Sequence, residues 1–565
     1  MPLVTVIAEM ELNGMEVDLQ YADLLSKKYH KLLDKVDEQI NVELEKLQPE
    51  INKWKLTSDA NYHPAKKTGE GVGKSKVEQL TDPINMASPT QLAILLYDIL
   101  KCPAVSKKSP RGTGEDELKA IYKATGYEIC KLILSRREYV KLITTYIDVI
   151  PELSNRWADH RVRTHFNQYG AATGRLSSSD PLNYQNIPSH NKEIRMEFYP
   201  HEGNVIIGSD YSGQEVRLTA FYSQDENMIN AYAEGKDLYA MIASLCFNKT
   251  YEECLQENPD GSIYEEGKAR RSAAKSVLLG LLYGRGAASI GEQIGKSREE
   301  AQEIMDKFFK AFPKVKEWID KSISDARKTG YVEDIAGRRR HLPDILLDKY
   351  VIKNLSNNVE TNFNPFLICN DRVMKDKLVD TYRERLNKIK SRKDYEKIQQ
   401  EALKENIEIH DNTGFIAQAE RQAVNSRVQG GAATLTKQAL IDIYYDKELN
   451  DLGAFLINTI HDEILMECPK ENGEKAAKRL TDVMINAAKK YVYNVPMSCD
   501  PTIESCWYIT EFFALVKKEF NDLMKKQHMS DLEAFEYMCD YRCESTRSQI
   551  YEIVGGMMTH TPENV

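Results

Sequence analysis

The sequence predicts an α+β architecture in several lobes. Three observations carry that expectation. Short strand-like runs are confined to about residues 161–218 and to the neighbourhood of residue 462, long helical blocks surround them, and two apolar runs each finish at an aspartate. The first run is Val205-Ile206-Ile207-Gly208-Ser209-Asp210-Tyr211-Ser212. The second is Phe455-Leu456-Ile457-Asn458-Thr459-Ile460-His461-Asp462-Glu463-Ile464-Leu465.

Composition narrows the class. A chain of 565 residues suits roughly three to four domain-sized units with large cores. Apolar residues at 42% and charged residues at 29% describe a soluble globular protein. No apolar run approaches the roughly 18 residues of a membrane span. The start, Met1-Pro2-Leu3-Val4-Thr5-Val6-Ile7-Ala8-Glu9, lacks the basic flank of a secretion signal. Ten cysteines without a disulfide-like framework suit a reducing cytoplasm. The net charge of -10 does not advertise nucleic-acid binding, yet a local basic groove would suffice for it.

The elements follow in order. Leu25, Tyr29, Leu32, Val36, Ile40 and Leu44 recur at helical spacing and predict a long amphipathic helix over about 22–47. Residues 57–76 are rich in Lys and Gly and read as a flexible basic loop. Ser88-Pro89 opens a further helix, with a capping residue ahead of a first-turn proline. A third helix is expected over about 115–150, its Arg136, Arg137 and Lys141 read as a solvated face. Short strands and turns follow from Arg161 to Leu218, then mainly helices over 223–335 with a turn at Ala336-Gly337-Arg338. Residues 346–410 read as a Lys- and Asn-rich helical stretch, and a helix over 415–445 precedes the strand pair centred on Asp462. The region past Trp507 reads as charged helix. There Cys539 and Cys543 stand four apart; zinc would need distant His528 and His560, so reduced cysteines are expected.

The chemistry lies in the two aspartates and the helix between them. Asp is a common turn residue, so either site alone reads equally well as a turn. Together, carboxylates converging from separate strands could hold divalent ions about 4 Å apart. Magnesium suits such a site, because it takes few protein oxygens and keeps places for water and phosphate. Arg271, Lys275, Leu279 and Tyr283 differ by four and line one helix face. That face presents two cations, an apolar side chain and a ring over about 18 Å, the order of phosphates, sugar and base in a nucleoside triphosphate. The segment by itself also reads as an ordinary amphipathic helix.

These segments resemble the polymerase motifs of the A-family DNA polymerases, the group of bacterial DNA polymerase I and many phage enzymes. Asp210-Tyr211-Ser212-Gly213-Gln214-Glu215-Val216-Arg217 resembles the first motif, Arg271-x3-Lys275-x3-Leu279-Gly280-x2-Tyr283-Gly284 the fingers helix, and His461-Asp462-Glu463 the third motif. Thr173-Gly174-Arg175-Leu176-Ser177-Ser178 with Gln185-Asn186-Ile187-Pro188 is similar to a palm signature. Glu420-Arg421-x3-Asn425-x3-Gln429-Gly430 is similar to a helix facing the template-primer minor groove. Met1-Pro2-Leu3-Val4 with Met10-Glu11-Leu12-Asn13-Gly14-Met15-Glu16-Val17-Asp18 resembles the start of the polymerase domain.

The resemblance implies a right-hand fold, with an antiparallel palm sheet and mostly helical fingers and thumb. Its expected parts are an N-terminal segment 1–19, thumb 20–150, palm 151–222 and 411–510, fingers 223–345, an atypical insertion 346–410 and a C-terminal extension 511–565. It implies template-directed 5′–3′ DNA synthesis from dNTPs on a primer-template, without proofreading because no exonuclease domain precedes the motifs. Asp210 and Asp462 would bind two magnesium ions, replaceable by manganese, with Glu463 auxiliary. Arg271, Lys275 and Tyr239 would meet the triphosphate, Leu279 the sugar, and Tyr283 the templating position. Glu215 would exclude a ribose 2′-hydroxyl. Arg175, Arg421, Asn425 and Gln429 would contact DNA, and His461 the primer terminus, unless His461 is simply a hairpin residue.

Several departures stand out. Leu279 replaces the usual aromatic residue, which implies poor dideoxynucleotide use, and Tyr239 replaces a frequent histidine. The insertion and the leucine suggest a phage enzyme acting in a bacterial cytoplasm. A processivity factor or separate exonuclease would fit as partners, and no membrane. A translesion or repair polymerase of the same family and a catalytically silent DNA-binding factor are the alternatives; Glu215 argues against a single-subunit RNA polymerase.

Overall fold

The computed structural model describes residues 2–60, 75–106, 109–188, 191–258, 263–356, 359–360, 377–389, 391–504, 506–507, 520, 523–525, 529–540 and 558. The chain divides into two compact units. One comprises Met1–Asn13, Thr164–Gln185 and Gly203–Ile503, and the other Gly14–Arg163, Asn186–Glu202 and Glu504–Val565.

The first unit is organised by a sheet with strand order Phe455–Ile460, Glu463–Pro469, Asn204–Tyr211, Cys499–Glu504. Among the first three, each neighbouring pair is antiparallel. Val205, Ile206, Ile207, Ile464, Leu465 and Met466 are all buried. Both central strands are thus covered on both faces, which is why they read as unbroken apolar runs. The helix Gly473–Lys489 turns Ala476, Leu480, Val483, Met484 and Ala487 inward at helical spacing. The Tyr211 hydroxyl locks the sheet to it, donating to the Met484 carbonyl at 2.7 Å. Each large apolar side chain buried here contributes roughly 1.5–3 kcal/mol. The long helix Thr413–Tyr444 packs on the same layer, and Gln214 Nε2 reaches its Ala432 carbonyl at 3.4 Å.

Among the described residues, six α-helices between Glu226 and Thr329 form the helical part of this unit, as the sequence suggests. Their ends follow capping chemistry: Asp225 and Asp237 accept from first-turn amides, and Ser297 with Glu300 makes a capping box. Gly330 ends the last of them in the left-handed region at φ 74°. Three boundaries differ from expectation. Asp210 is the penultimate residue of its strand rather than lying past it, because pairing with Glu463 extends the ladder. The helix Gln214–Ser223 begins inside the stretch read as strands and turns. Tyr283 caps the helix Glu265–Leu282 instead of continuing it.

Residues 346–410 are not purely helical. The strands Val359–Glu360, Tyr350–Asn354 and Ile407–Asp411 form an antiparallel sheet in that order, joined by the helices Lys377–Leu386 and Arg392–Lys404. Ile352, Val379, Tyr382, Tyr395, Ile398, Ile407 and Ile409 make its own small core. Five-residue strands among Lys and Asn give too short an alternation to be read against helical neighbours. Its two ends meet, for the Asn412 amide donates to the Lys349 carbonyl at 2.9 Å.

In the second unit the long helix runs Leu19–Ala60, beyond the predicted limits at both ends. Of its six expected apolar positions only Leu32 is half-buried and the rest are buried. The basic loop therefore starts later than expected, and most of it lies outside the described residues. Ser88 caps Gln91 ahead of Pro89, as the sequence implies. The third helix is broken: Glu115–Thr125 ends at Gly126 with φ 72°, and Glu128–Leu142 starts afresh. Of its three cations only Lys141 is exposed as expected; Arg136 and Arg137 are half-buried. Arg136 Nε donates to Asp37 at 2.6 Å, and Arg137 reaches the Thr113 carbonyl. A small sheet in the order Arg161–Val162, Met15–Val17, Phe198–Tyr199 completes this unit. Of the C-terminal extension, the helix Asp531–Asp540 is described and packs Ala534, Phe535 and Met538 with Phe520 and Leu523. Cys543, His528 and His560 lie outside the described residues. Among the described residues no helix is long and apolar enough to cross a membrane.

Candidate active site

Strand register builds the first part of the site. Glu463 stands directly across from Asp210 in the ladder. His461 and Asp462 form the two-residue turn joining Ile460 to Glu463. His461 takes φ 58°, a left-handed conformation that costs a non-glycine residue about 1–2 kcal/mol. Cys499–Glu504 flanks the other side and adds Asp500, whose carboxylate accepts from Ser212 Oγ at 2.5 Å. The Asp210 carboxyl is open to solvent but crowded by protein elsewhere. That desolvation, then the charges of Asp462, Glu463 and Asp500, raise its pKa from 3.8 to about 7. Asp500 is a contributor that sequence reading missed; its only signal is its place beside Pro501 in a short strand.

These residues fit a hard divalent cation in chemical kind. The donors are carboxylate oxygens, and their mutual repulsion is what bound positive charge would relieve. Among the described residues, no three His, Cys, Asp or Glu side chains by themselves form a metal-binding group.

A second cluster forms around Glu215, in the first turn of Gln214–Ser223. Arg175 Nη2 donates to Glu215 Oε1 at 2.6 Å, and the Tyr283 hydroxyl donates to Oε2. Gln429 hydrogen-bonds Tyr283 in turn, so four of the predicted residues share one network. Burial, then Glu215, pushes the Tyr283 phenol well above its ordinary value. Arg421 lies along the backbone at Gly284, where φ is 67° and a Cβ would sit 2.5 Å from Arg421 Cγ. Asn425 is half-buried on the same helix, and its Oδ1 has no hydrogen-bond partner among the described residues. Arg338, not singled out by sequence, donates to the Thr173 carbonyl and to Asp334 beside Gly174.

The third cluster lies on Glu265–Leu282. Ala274, Val277, Leu278, Leu281 and Leu282 face inward, which leaves Arg271, Lys275 and Leu279 on the opposite, accessible face. Arg271 Nε donates to Asp237 Oδ2 at 2.5 Å. The Tyr239 ring centroid lies 5.1 Å from the Arg271 guanidinium and 5.9 Å from Lys275 Nζ. Burial raises the Tyr239 phenol to about 12; Arg271 opposes the shift, and Glu215, Asp237 and Asp462 add to it. Tyr239 thus lies within electrostatic reach of a carboxylate from each of the three clusters.

The family model for DNA polymerase family A matches residues 64–364 and 372–509. The chain belongs to DNA polymerase family A. It is 30% identical over 512 residues to the thermostable DNA polymerase I of Thermus aquaticus, covering 90% of this chain and 47% of that protein. DNA polymerase I of Bacillus subtilis (strain 168) is 28% identical over 513 residues, covering 90% and 45%. This family member therefore spans less than half the length of the curated relatives it matches. Among solved structures, the polymerase domain of Pol1 from M. smegmatis, in complex with DNA primer-template and dNTP, matches with a TM-score of 0.61. The identity is 26%, over 90% of this chain and 69% of that one. The fold is accordingly the α+β right hand of the family.

Proposed function

We propose that the chain carries out template-directed 5′–3′ DNA synthesis from dNTPs on a primer-template. The observation that carries the reading is Glu463 standing across from Asp210 beside the Asp462 turn, with Asp462 and the cations Arg271 and Lys275 all within electrostatic reach of Tyr239. Asp210 and Asp462 would hold the metal ions, with Glu463 close by. Magnesium bound there would supply Lewis acidity toward the primer 3′-hydroxyl and positive charge for the triphosphate and its leaving group.

The chain's own residues do the rest. Arg271 and Lys275 draw the phosphates against the helix, where negative charge grows as the leaving group departs. Glu215, held from both sides, presents a rigid carboxylate at the sugar and excludes a ribose hydroxyl. Arg175, Asn425 and Gln429 offer donors to the minor-groove acceptors that all correct pairs share. Arg421 adds a cation for the backbone, Tyr283 stacks by the templating position, and His461 holds the primer end. In lobe terms, residues 20–150 serve as thumb, 223–345 as fingers, and 151–222 with 411–510 as palm. The reading assigns this site synthesis, with no proofreading hydrolysis.

The test is extension of a labelled primer on a DNA template with magnesium, dNTPs being compared with NTPs. Long products from dNTPs alone, lost in Asp462→Ala, are expected. Tight DNA binding without extension would move the chain to a silent DNA-binding factor.

A further inference from the structure

Asp237 carries two loads at once. Its Oδ1 caps the helix Leu238–Phe247 by accepting from the amides of Tyr239 at 2.9 Å and Ala240 at 3.2 Å. Its Oδ2 accepts from Arg271 Nε at 2.5 Å. The grip is one-handed: among the described residues the two terminal nitrogens of Arg271 have no hydrogen-bond partner. The ring of Tyr239, two residues along the same helix start, supports the guanidinium from its face. Both groups of the ion pair are about a quarter exposed and line a cavity of about 370 Å³ with Leu255, Gln256 and Glu257.

We propose that Asp237 is a positioning residue for phosphate binding: it holds Arg271 by Nε so that the two terminal N–H edges stay aimed at an incoming triphosphate. This rests on the reading of Arg271 as a phosphate ligand given above. An arginine side chain loses much rotamer freedom when it binds, and its planar fork gains most when that freedom is already spent. A carboxylate gripping both terminal nitrogens would compete with phosphate. One gripping Nε alone leaves the bidentate edge open. The cap on the same carboxylate ties the orientation of Arg271 to the start of a helix rather than to a loop.

Asn and Ser cap helices about as well as Asp, so Asp237→Asn and Asp237→Ser separate the two roles. Binding of inorganic tripolyphosphate, followed by calorimetry, needs no catalysis. Both variants are expected to bind it about tenfold more weakly than the parent at an unchanged melting temperature. In primer extension the same variants raise KM for dNTP and leave kcat and primer-template Kd nearly unchanged. In an Arg271→Ala background, Asp237→Ser adds nothing further. Unchanged or tighter tripolyphosphate binding in Asp237→Ser, additive effects of the two substitutions, or no binding by the parent chain each overturn the proposal. If the tripolyphosphate pattern holds while the parent chain fails to extend primers, the polymerase reading falls and this one stands.

Discussion

At the scale of single residues the site is built by opposing its own stability. The pKa of Asp210 is raised in the fold, so the ionised form is the disfavoured one. Without divalent ions, the contribution of Asp210 to stability is greatest below the ordinary value near 3.8 and is lost as pH rises through about 7. Asp210→Asn is therefore expected to melt at a higher temperature than the parent at pH 8 in chelator, and to lose primer extension. Added magnesium should raise the parent's melting temperature and leave that of the variant nearly unmoved. Glu215 gives a second prediction. Glu215→Ala empties the space at the sugar, so ribonucleotide incorporation relative to dNTP should rise on the order of tenfold or more in single-turnover assays. The same change strips Arg175 and Tyr283 of their shared acceptor, so dNTP incorporation should slow as well.

At the scale of elements, glycines decide where helices stop. Gly284 follows Tyr283 in the left-handed region, with Arg421 lying on its backbone. Gly284→Ala combines a conformational cost of about 1–2 kcal/mol with displacement of Arg421. A lower melting temperature and weaker primer-template binding are expected, and unchanged values for both would contradict the packing. Element-level features were legible in the sequence where periodicity ran long. The helices at 19–60, 265–282 and 413–444 and the hairpin at Asp462 announced themselves by spacing or by turn chemistry. What was not legible was set by partners distant in the chain. Nothing local to Asp500 says that it would influence Asp210, and nothing near Arg136 names Asp37. The break at Gly126 was visible as a glycine, yet it falls inside the single helix expected over about 115–150. For the site, the motif residues were readable as types, whereas the networks joining Glu215 to Tyr283 and Asp237 to Arg271 needed the fold.

For the whole molecule, the small subdomain over residues 350–411 is the most separable part described. It has its own core, and its ends are joined at Lys349 and Asn412 by a backbone hydrogen bond. Replacing residues 350–411 by a short glycine-rich turn should leave the rest of its unit folded, because closing a short loop between adjacent ends costs little entropy. Retained cooperative melting and primer extension are the expected outcome, and collapse of both would show that this subdomain supports the sheet.

The central sheet has a consequence for how the protein is made. The strand Asn204–Tyr211 leaves the ribosome long before its neighbour Glu463–Pro469 exists. At about 5–20 residues per second, the nascent chain waits many seconds with that apolar strand unpaired. During this interval Asp210 has no Glu463 opposite it, so an incomplete translation product carries Arg271 and Lys275 without the acidic pair. Until the hairpin at His461-Asp462 is made, that strand edge depends on neighbouring helices or chaperones for cover.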